Sequence, residues 1–222
     1  MRLDAVVFDF DGLILDTEWA IYESAVAAFG AHGHELPIEA WATIIGINGD
    51  DSIWWDLVCD AAGVEGFDQA LFDAAYEAQD RSVRDRLPAL PGVVDLLAAL
   101  THAEVPLGIA SSSSRAWLDR HIGRLELTAH FGTLVGADLV GGVGKPAPDV
   151  YLRACADLGA DPARSVALED SAHGATAAKA AGMTVVAVPS RITRFNDFSH
   201  ADLVVDSLAD LTVARIDALI PA

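Results

Sequence analysis

Basic residues are scarce in this chain: 14 Lys and Arg stand against 33 Asp and Glu in 222 residues, a formal net charge of −19. A field of that sign repels a polyphosphate backbone and argues against nucleic acid as a partner. Its plainest consequence is solubility. Cysteine is scarcer still. Cys59 and Cys155 lie far apart and form no CxxC, and both fall in helical-looking stretches, so two buried, reduced thiols are expected rather than a disulfide. Long hydrophobic runs are missing too. Hydrophobic residues make up 52% of the chain, enough for a large core, yet no run approaches the roughly 18 uninterrupted residues of a membrane span. Asp4 stands where the apolar stretch of a signal peptide would begin, and the next apolar run soon meets Asp9. A cytoplasmic location is the expectation, with no membrane partner.

What is present is alternation. Short apolar runs at 3–8, 106–110, 133–136, 165–168, 184–188 and 203–205 are separated by amphipathic stretches such as 92–102, 114–125, 146–158 and 172–181. Strands alternating with helices of that length predict βαβ units, and hence an α/β fold with a parallel sheet covered by helices on both faces. Residues 16–87 break the pattern. They show only helical periodicity, at 19–29, 38–45, 52–62 and 67–86, with Gly30, Gly46, Gly63 and Gly66 at or near the breaks. A helical module is therefore expected between the first strand and the rest, with Leu87-Pro88-Ala89-Leu90-Pro91-Gly92 as the return linker. An insertion this long exceeds what a crossover needs.

Chemistry gathers at the ends of the apolar runs. Asp9-Phe10-Asp11-Gly12 follows the first. In an open parallel sheet, ligands bind outside the carboxyl ends of the strands. Two acids two residues apart can both face that crevice if Gly12 lets the backbone turn, although a plain polar turn has the same composition. Glu169-Asp170-Ser171 follows the run ending at Leu168. Ionised groups at a buried strand end are costly unless paired or metal-bound. With Asp9 they would form an oxygen-only site suited to Mg²⁺; helix capping by Asp170 or Ser171 is the competing role. Ser111 follows Ala110 with a helix starting soon after, which reads as a phosphate cradle or as a Ser-rich turn. Lys145 lies in Gly141-Gly142-Val143-Gly144-Lys145-Pro146. A Walker loop would need Gly in place of Leu139 and Ser or Thr in place of Pro146, so that motif is excluded. Pro146 suits the first turn of a helix, which leaves Lys145 at its entrance, able to face an anion.

These four pieces, in this order and on these elements, resemble the haloacid dehalogenase superfamily of phosphotransferases across essentially the whole chain. The first motif continues as Leu13-Ile14-Leu15-Asp16-Thr17-Glu18. The insertion is similar to the cap of the branch that includes β-phosphoglucomutase and many sugar-phosphate phosphatases. The resemblance implies a Rossmann-like catalytic core at 1–15 and 88–222 and a helical cap at 16–87. It implies Asp9 as a nucleophile forming an aspartyl-phosphate and Asp11 as the general acid and base, protonated at neutral pH. Ser111 and Lys145 would neutralise phosphoryl oxygens. Mg²⁺ would be held by Asp9, the backbone carbonyl of Asp11, and Asp170, with Glu169 a direct ligand or a group behind one. Gly12, Ser112, Arg115, Trp19 and Asn48 are the expected substrate contacts.

The cap sequence narrows the substrate. Residues 16–80 hold no Lys or Arg but many acids, among them Glu23, Glu35, Asp50, Asp51, Asp56 and Asp60. A cap reads the leaving group, and this one offers no cation for a second phosphate, which a mutase working through a bisphosphate needs. The β-phosphoglucomutase-like pattern also places a basic residue where Gly46-Ile47-Asn48-Gly49-Asp50 stands, and a His near Ile21. Arg115, Arg191 or Arg194 could reach in from the core. The expected substrate is thus a sugar, polyol or nucleoside monophosphate; the alternatives are a phosphomutase and a non-catalytic metabolite-binding protein. A monomer is expected, a dimer being the other option. Four of the five tryptophans, Trp19, Trp41, Trp54 and Trp55, lie in the insertion. Core packing is the expectation for each, with Trp19 the best candidate for a wall against the substrate.

Overall fold

The computed structural model describes residues 2–42, 51–64, 69–70 and 86–221, without the side chains of 51–55. Six strands form one parallel sheet: β1 Ala5–Phe8, β2 Leu107–Ala110, β3 Thr133–Val135, β4 Ser165–Glu169, β5 Thr184–Ala187 and β6 Leu203–Val204. Their order is β3-β2-β1-β4-β5-β6. Each expected run appears, trimmed at its ends where the ladder stops. β4 instead gains Glu169, which pairs with Ala187. Every residue of β1, β2 and β4 is buried, as a sheet covered on both faces requires.

Alternate side chains serve the two faces. Val6, Phe8, Leu107, Ile109, Val166 and Leu168 pack with α4 (Val93–His102), α5 (Arg115–Arg124) and α8 (Val213–Asp217). Val7, Ala110, Ala167 and Val185 pack with α6 (Asp149–Leu158) and α7 (Ala172–Ala180). The chain reversals that matter lie at the carboxyl edge. Phe8 stands level with Ile109 on one side and Leu168 on the other, so Asp9, Ser111 and Asp170 leave the sheet side by side.

One expected boundary is corrected. α6 begins at Asp149 rather than at Pro146, because Pro148 disfavours a helical conformation at Ala147. Lys145 and Pro146 therefore lie in the turn ahead of the helix.

Between β1 and α4 the described regular elements are all helices: α1 Thr17–Ala31, α2 Ile38–Ala42 and α3 Asp51–Ala62. The helix expected at 67–86 lies almost wholly outside the described residues. Ala25, Ala28, Phe29, Trp41 and Val58 form a separate apolar cluster. Two backbone strands connect this module to the sheet, and they are tied together where the Leu90 N–H donates to the Ile14 carbonyl at 2.8 Å. A third attachment comes from the loop after β5. Ile192, 1% exposed, inserts into the helical cluster, and Arg191 stacks on Trp19 at 3.9 Å while pairing with Asp16. Thr193 Oγ1, next along that loop, donates to the Asp170 carbonyl at 2.6 Å. Both cysteines are buried free thiols, and among the described residues no helix is long and apolar enough to cross a membrane.

Truncating Ile192 removes packing that joins loop and helical module. Ile192→Ala should cost about 2–5 kcal/mol, the range for buried Ile or Leu to Ala, read as a lower midpoint in urea unfolding.

Candidate active site

Asp9 leaves the end of β1 with its backbone N–H bonded to the Leu168 carbonyl at 2.9 Å. Its Oδ1 accepts from the Lys145 ammonium. The same ammonium donates to Glu169 Oε1 at 2.5 Å, and the Tyr151 hydroxyl on α6 donates to that oxygen at 2.5 Å. Glu169 Oε2 accepts from the Ser171 N–H and hydroxyl at 3.3 and 3.2 Å. All four ionisable groups, Asp9, Lys145, Glu169 and Asp170, are buried. Burial, the Glu169 charge and the nearby Asp11 raise Asp9 to about 8 despite the opposing pull of Lys145. Asp170 is raised well above its ordinary value by burial and by the Asp9 and Glu169 charges. Lys145 loses by burial but gains more from its two carboxylate partners, so it stays charged.

Asp11, half-buried, faces a separate set of groups. Oδ1 accepts from Thr17 Oγ1 at 2.9 Å and from the Trp117 indole N–H at 3.1 Å. Oδ2 accepts from Ser113 Oγ at 2.7 Å, with Ser111 Oγ at 3.4 Å. Ser111 also accepts from the Ser113 N–H at 3.0 Å, and Ser112 Oγ accepts from the Lys145 N–H at 3.2 Å. These groups line a cleft of about 210 Å³, together with Glu18, Ile21 and Ser171. A second cleft, of about 500 Å³, lies along Gly12, Leu13, Leu90, Pro189 and Arg191; Gly12, expected as a substrate contact, lines this cleft and not the first.

Gly12 sits at φ +89°, and a Cβ there would run into the Asp170 carboxylate. Its N–H bonds to the Leu15 carbonyl at 2.7 Å. Gly12 thus makes room for the acid across from it. Gly174 does the same for Glu169, whose carboxylate occupies the space a side chain at 174 would need.

The expected residues do not all converge. Asp9, Asp11, Ser111, Ser112, Lys145 and Asp170 line one cleft. Arg115 does not. It begins α5 and runs along it to pair with Asp119 at 2.9 Å, with a further bond to the Leu134 carbonyl. Trp19 packs against Tyr22 and under Arg191, away from the cleft lining. Arg194 lies over the Phe195 ring. Trp41 is buried in the helical cluster. Asn48 and the Trp54 and Trp55 side chains lie outside the described residues. Sequence reading missed Thr17, Glu18, Ser113, Tyr151 and Trp117. Trp117 carried a usable signal: it falls in the first turn of the helix after Ser111, and helical side chains lean back toward the helix N-terminus.

Three carboxylates, Asp9, Glu169 and Asp170, present oxygens within 4.8 Å of one another. One ammonium opposes them. The remaining two negative charges match a divalent cation. Asp170 Oδ2 is buried without a hydrogen-bond partner among the described residues, which is costly for a carboxylate oxygen left to itself. Hard oxygen donors in this arrangement fit such a cation.

The raised acids have a consequence for stability. In the folded chain Asp9 holds a proton up to about pH 8, whereas the unfolded chain releases it near its ordinary 3.8. Folding therefore takes up a proton in that window, and this contribution weakens as pH rises through it. Metal-free protein should lose thermal stability from about pH 5 to 8, and Asp170→Asn should flatten that slope and melt about 2–4 °C higher at pH 8, equivalent to roughly 1 kcal/mol at this chain length. Calorimetry across pH checks both.

The model of the family described as "Haloacid dehalogenase-like hydrolase" matches residues 6–188. Hexitol phosphatase B of Escherichia coli (strain K12) is 33% identical over 226 residues, covering 94% of each chain. A solved HAD family hydrolase from Deinococcus radiodurans R1, with bound phosphate and sodium, is 30% identical, covers 100% of this chain and 99% of its own, and superposes with a TM-score of 0.81. A variant of CbbY from Rhodobacter sphaeroides, in complex with xylulose-(1,5)bisphosphate, is 25% identical with 97% and 99% coverage and a TM-score of 0.72. The family match spans both acidic strand ends, the Ser111 turn and Lys145, and on that ground the chain belongs to the haloacid dehalogenase-like hydrolases.

Proposed function

We propose that this chain is a Mg²⁺-dependent phosphohydrolase that frees phosphate from a small monophosphorylated metabolite through an aspartyl-phosphate on Asp9. The observation that carries this is the pairing of a buried carboxylate, Asp9, with a second one two residues on, Asp11, that is held by hydroxyl and indole donors in the same cleft. One acid meets phosphorus and the other handles protons.

Asp9 attacks phosphorus, forming an O–P bond as the ester O–P bond breaks, and Asp11 passes a proton to the departing alkoxide. Asp11 then takes a proton from water as that water attacks the aspartyl-phosphate, which returns Asp9 and releases phosphate. Lys145 orients Asp9 and offsets the charge that gathers on the phosphoryl oxygens, and Ser111 donates to them. Asp9, Asp170 and the Asp11 carbonyl would hold Mg²⁺, which supplies charge that lets a carboxylate approach a phosphate dianion. Glu169 has both oxygens occupied by Lys145, Tyr151 and Ser171, so it serves best as the anchor of Lys145. The helical module at 16–87 is read as a cap over this cleft.

Lys145 is the one cation among the described residues that line the cleft. Arg115, Arg191 and Arg194 are engaged elsewhere. Glu18 and Ile21 remain to meet the leaving group, a pair that suits a sugar or polyol: a carboxylate for hydroxyls, an apolar face for carbon. The name of the hexitol phosphatase relative points the same way. The bisphosphate held by the CbbY relative favours a second reading, in which the leaving group carries another phosphate; the shortage of cations in the cleft weighs against it.

With Mg²⁺, phosphate release from sorbitol 6-phosphate and from sugar monophosphates should exceed that from sugar bisphosphates, and chelation should abolish it. Asp9→Asn should lower release by about a thousandfold or more, as removal of a nucleophile does elsewhere. Full activity in Asp9→Asn would overturn the mechanism, and a marked preference for bisphosphates would overturn the substrate class.

A further inference from the structure

Among the described residues four groups donate to the Asp11 carboxylate, and three are hydroxyls. The fourth is the indole of Trp117. A hydroxyl can donate or accept, so Thr17, Ser111 and Ser113 can each reverse when a proton arrives on the oxygen they face. An indole N–H can only donate. Oδ1 accepts from Trp117 and from Thr17, and with a proton on it would be the poorer acceptor of the two oxygens, since the O–H oxygen of an acid accepts less well than its carbonyl oxygen. The proton's place is Oδ2, the oxygen on the Ser111 and Ser113 side.

The indole is well built for that task. Trp117 lies in the first turn of α5, whose start is fixed by its own backbone N–H donating to the Ser114 hydroxyl at 3.3 Å. One turn on, His121 packs against the indole with ring centroids 4.0 Å apart. His121 is fully buried and its ring also lies 6.4 Å from that of Phe10, the residue between the two motif acids. The same helix face therefore holds both the backbone position of the Asp9–Asp11 turn and the orientation of the Asp11 carboxylate. Thr17, the other donor to Oδ1, belongs to α1 of the helical module, whereas Trp117 belongs to the sheet-flanking core.

We propose that Trp117 is a positioning residue for proton transfer: its indole N–H pins Oδ1 of Asp11, so that the transferable proton sits on Oδ2, on the side of the phosphate-facing serines. In the first step the Asp9 O–P bond forms as the ester O–P bond breaks, and the Oδ2–H bond breaks as the new O–H bond forms on the leaving alkoxide. The inference rests on the reading of Asp11 as the acid and base of the reaction.

The test uses leaving groups that differ in their need for a proton. Sorbitol 6-phosphate releases a strongly basic alkoxide; 4-nitrophenyl phosphate releases a stable phenolate that needs none. The ratio of kcat/KM for these two esters reports the first chemical step. Trp117→Phe keeps a ring and removes the N–H. It should lower kcat/KM for sorbitol 6-phosphate about tenfold more than for 4-nitrophenyl phosphate, a part of the 10²–10⁴ that a positioned acid contributes. Replacing Trp117 by β-(3-benzothienyl)alanine, which keeps the bicyclic shape, should give the same change in ratio should Trp117→Phe fold poorly. Equal losses on both esters, or no loss on either, overturn the proposal. Asp11→Asn measured alongside separates the two levels. A changed ratio there, with none in the Trp117 variants, overturns this inference alone; an unchanged ratio in Asp11→Asn removes the reading beneath it and the inference together.

Discussion

Lys145 reaches from the turn before α6 to a point between Asp9 at the end of β1 and Glu169 at the end of β4. That single buried ammonium joins three segments far apart in the chain, and the corner could not hold its negative charge without it. Removing one partner of such a buried cluster leaves an uncompensated charge, which costs far more than the pair itself contributes. Tyr151 and Ser171 complete the shell around Glu169, so the ammonium is held from behind while its other side presents Asp9 to the cleft. The neighbouring adjacency of β1 and β4 in the sheet is what makes this reach possible.

Much of this was legible in the chain itself. β1, β2 and β4 are fully buried on both faces, so they read as continuous apolar runs, and their carboxyl ends could be located to within a residue or two. That placed Asp9, Asp11, Ser111 and Asp170 at the carboxyl edge, and the family resemblance joined Lys145 to them. The partners of those residues were not legible. Tyr151 donates to Glu169 and Ser113 to Asp11 across separations of 18 and 102 residues, and no local periodicity encodes such a meeting. Arg115 stood one residue from a capped helix start and invited a role in the cleft. A helical i,i+4 partner, Asp119, was available and took it. Trp19 drew attention as the aromatic next to the first motif, yet Trp117 is the ring that touches the acid. The start of α6 was misplaced because Pro148 outweighed Pro146.

The helical module is attached to the sheet at more than its two linkers. The loop after β5 carries Arg191 onto Trp19 and Asp16, Ile192 into the apolar cluster and Thr193 onto the Asp170 carbonyl. Three consecutive residues thus join the helices, the start of α1 and the acidic corner. Surface loops usually tolerate change because little crosses them. This one is an exception of a specific kind, since its side chains reach the helical cluster, the start of α1 and the backbone of a candidate metal ligand.

The positions of Gly12 and Gly174 bear on how such a chain can drift. Each leaves a space that a carboxylate fills, Asp170 against Gly12 and Glu169 against Gly174. Every coding change at either position adds at least a methyl group, so neither has a conservative neighbour in sequence space. The acids could in principle be exchanged for one another with a shift of a bond length or two; the glycines allow no such trade. Among diverging copies of this chain, the residues with no side chain would be the last to vary.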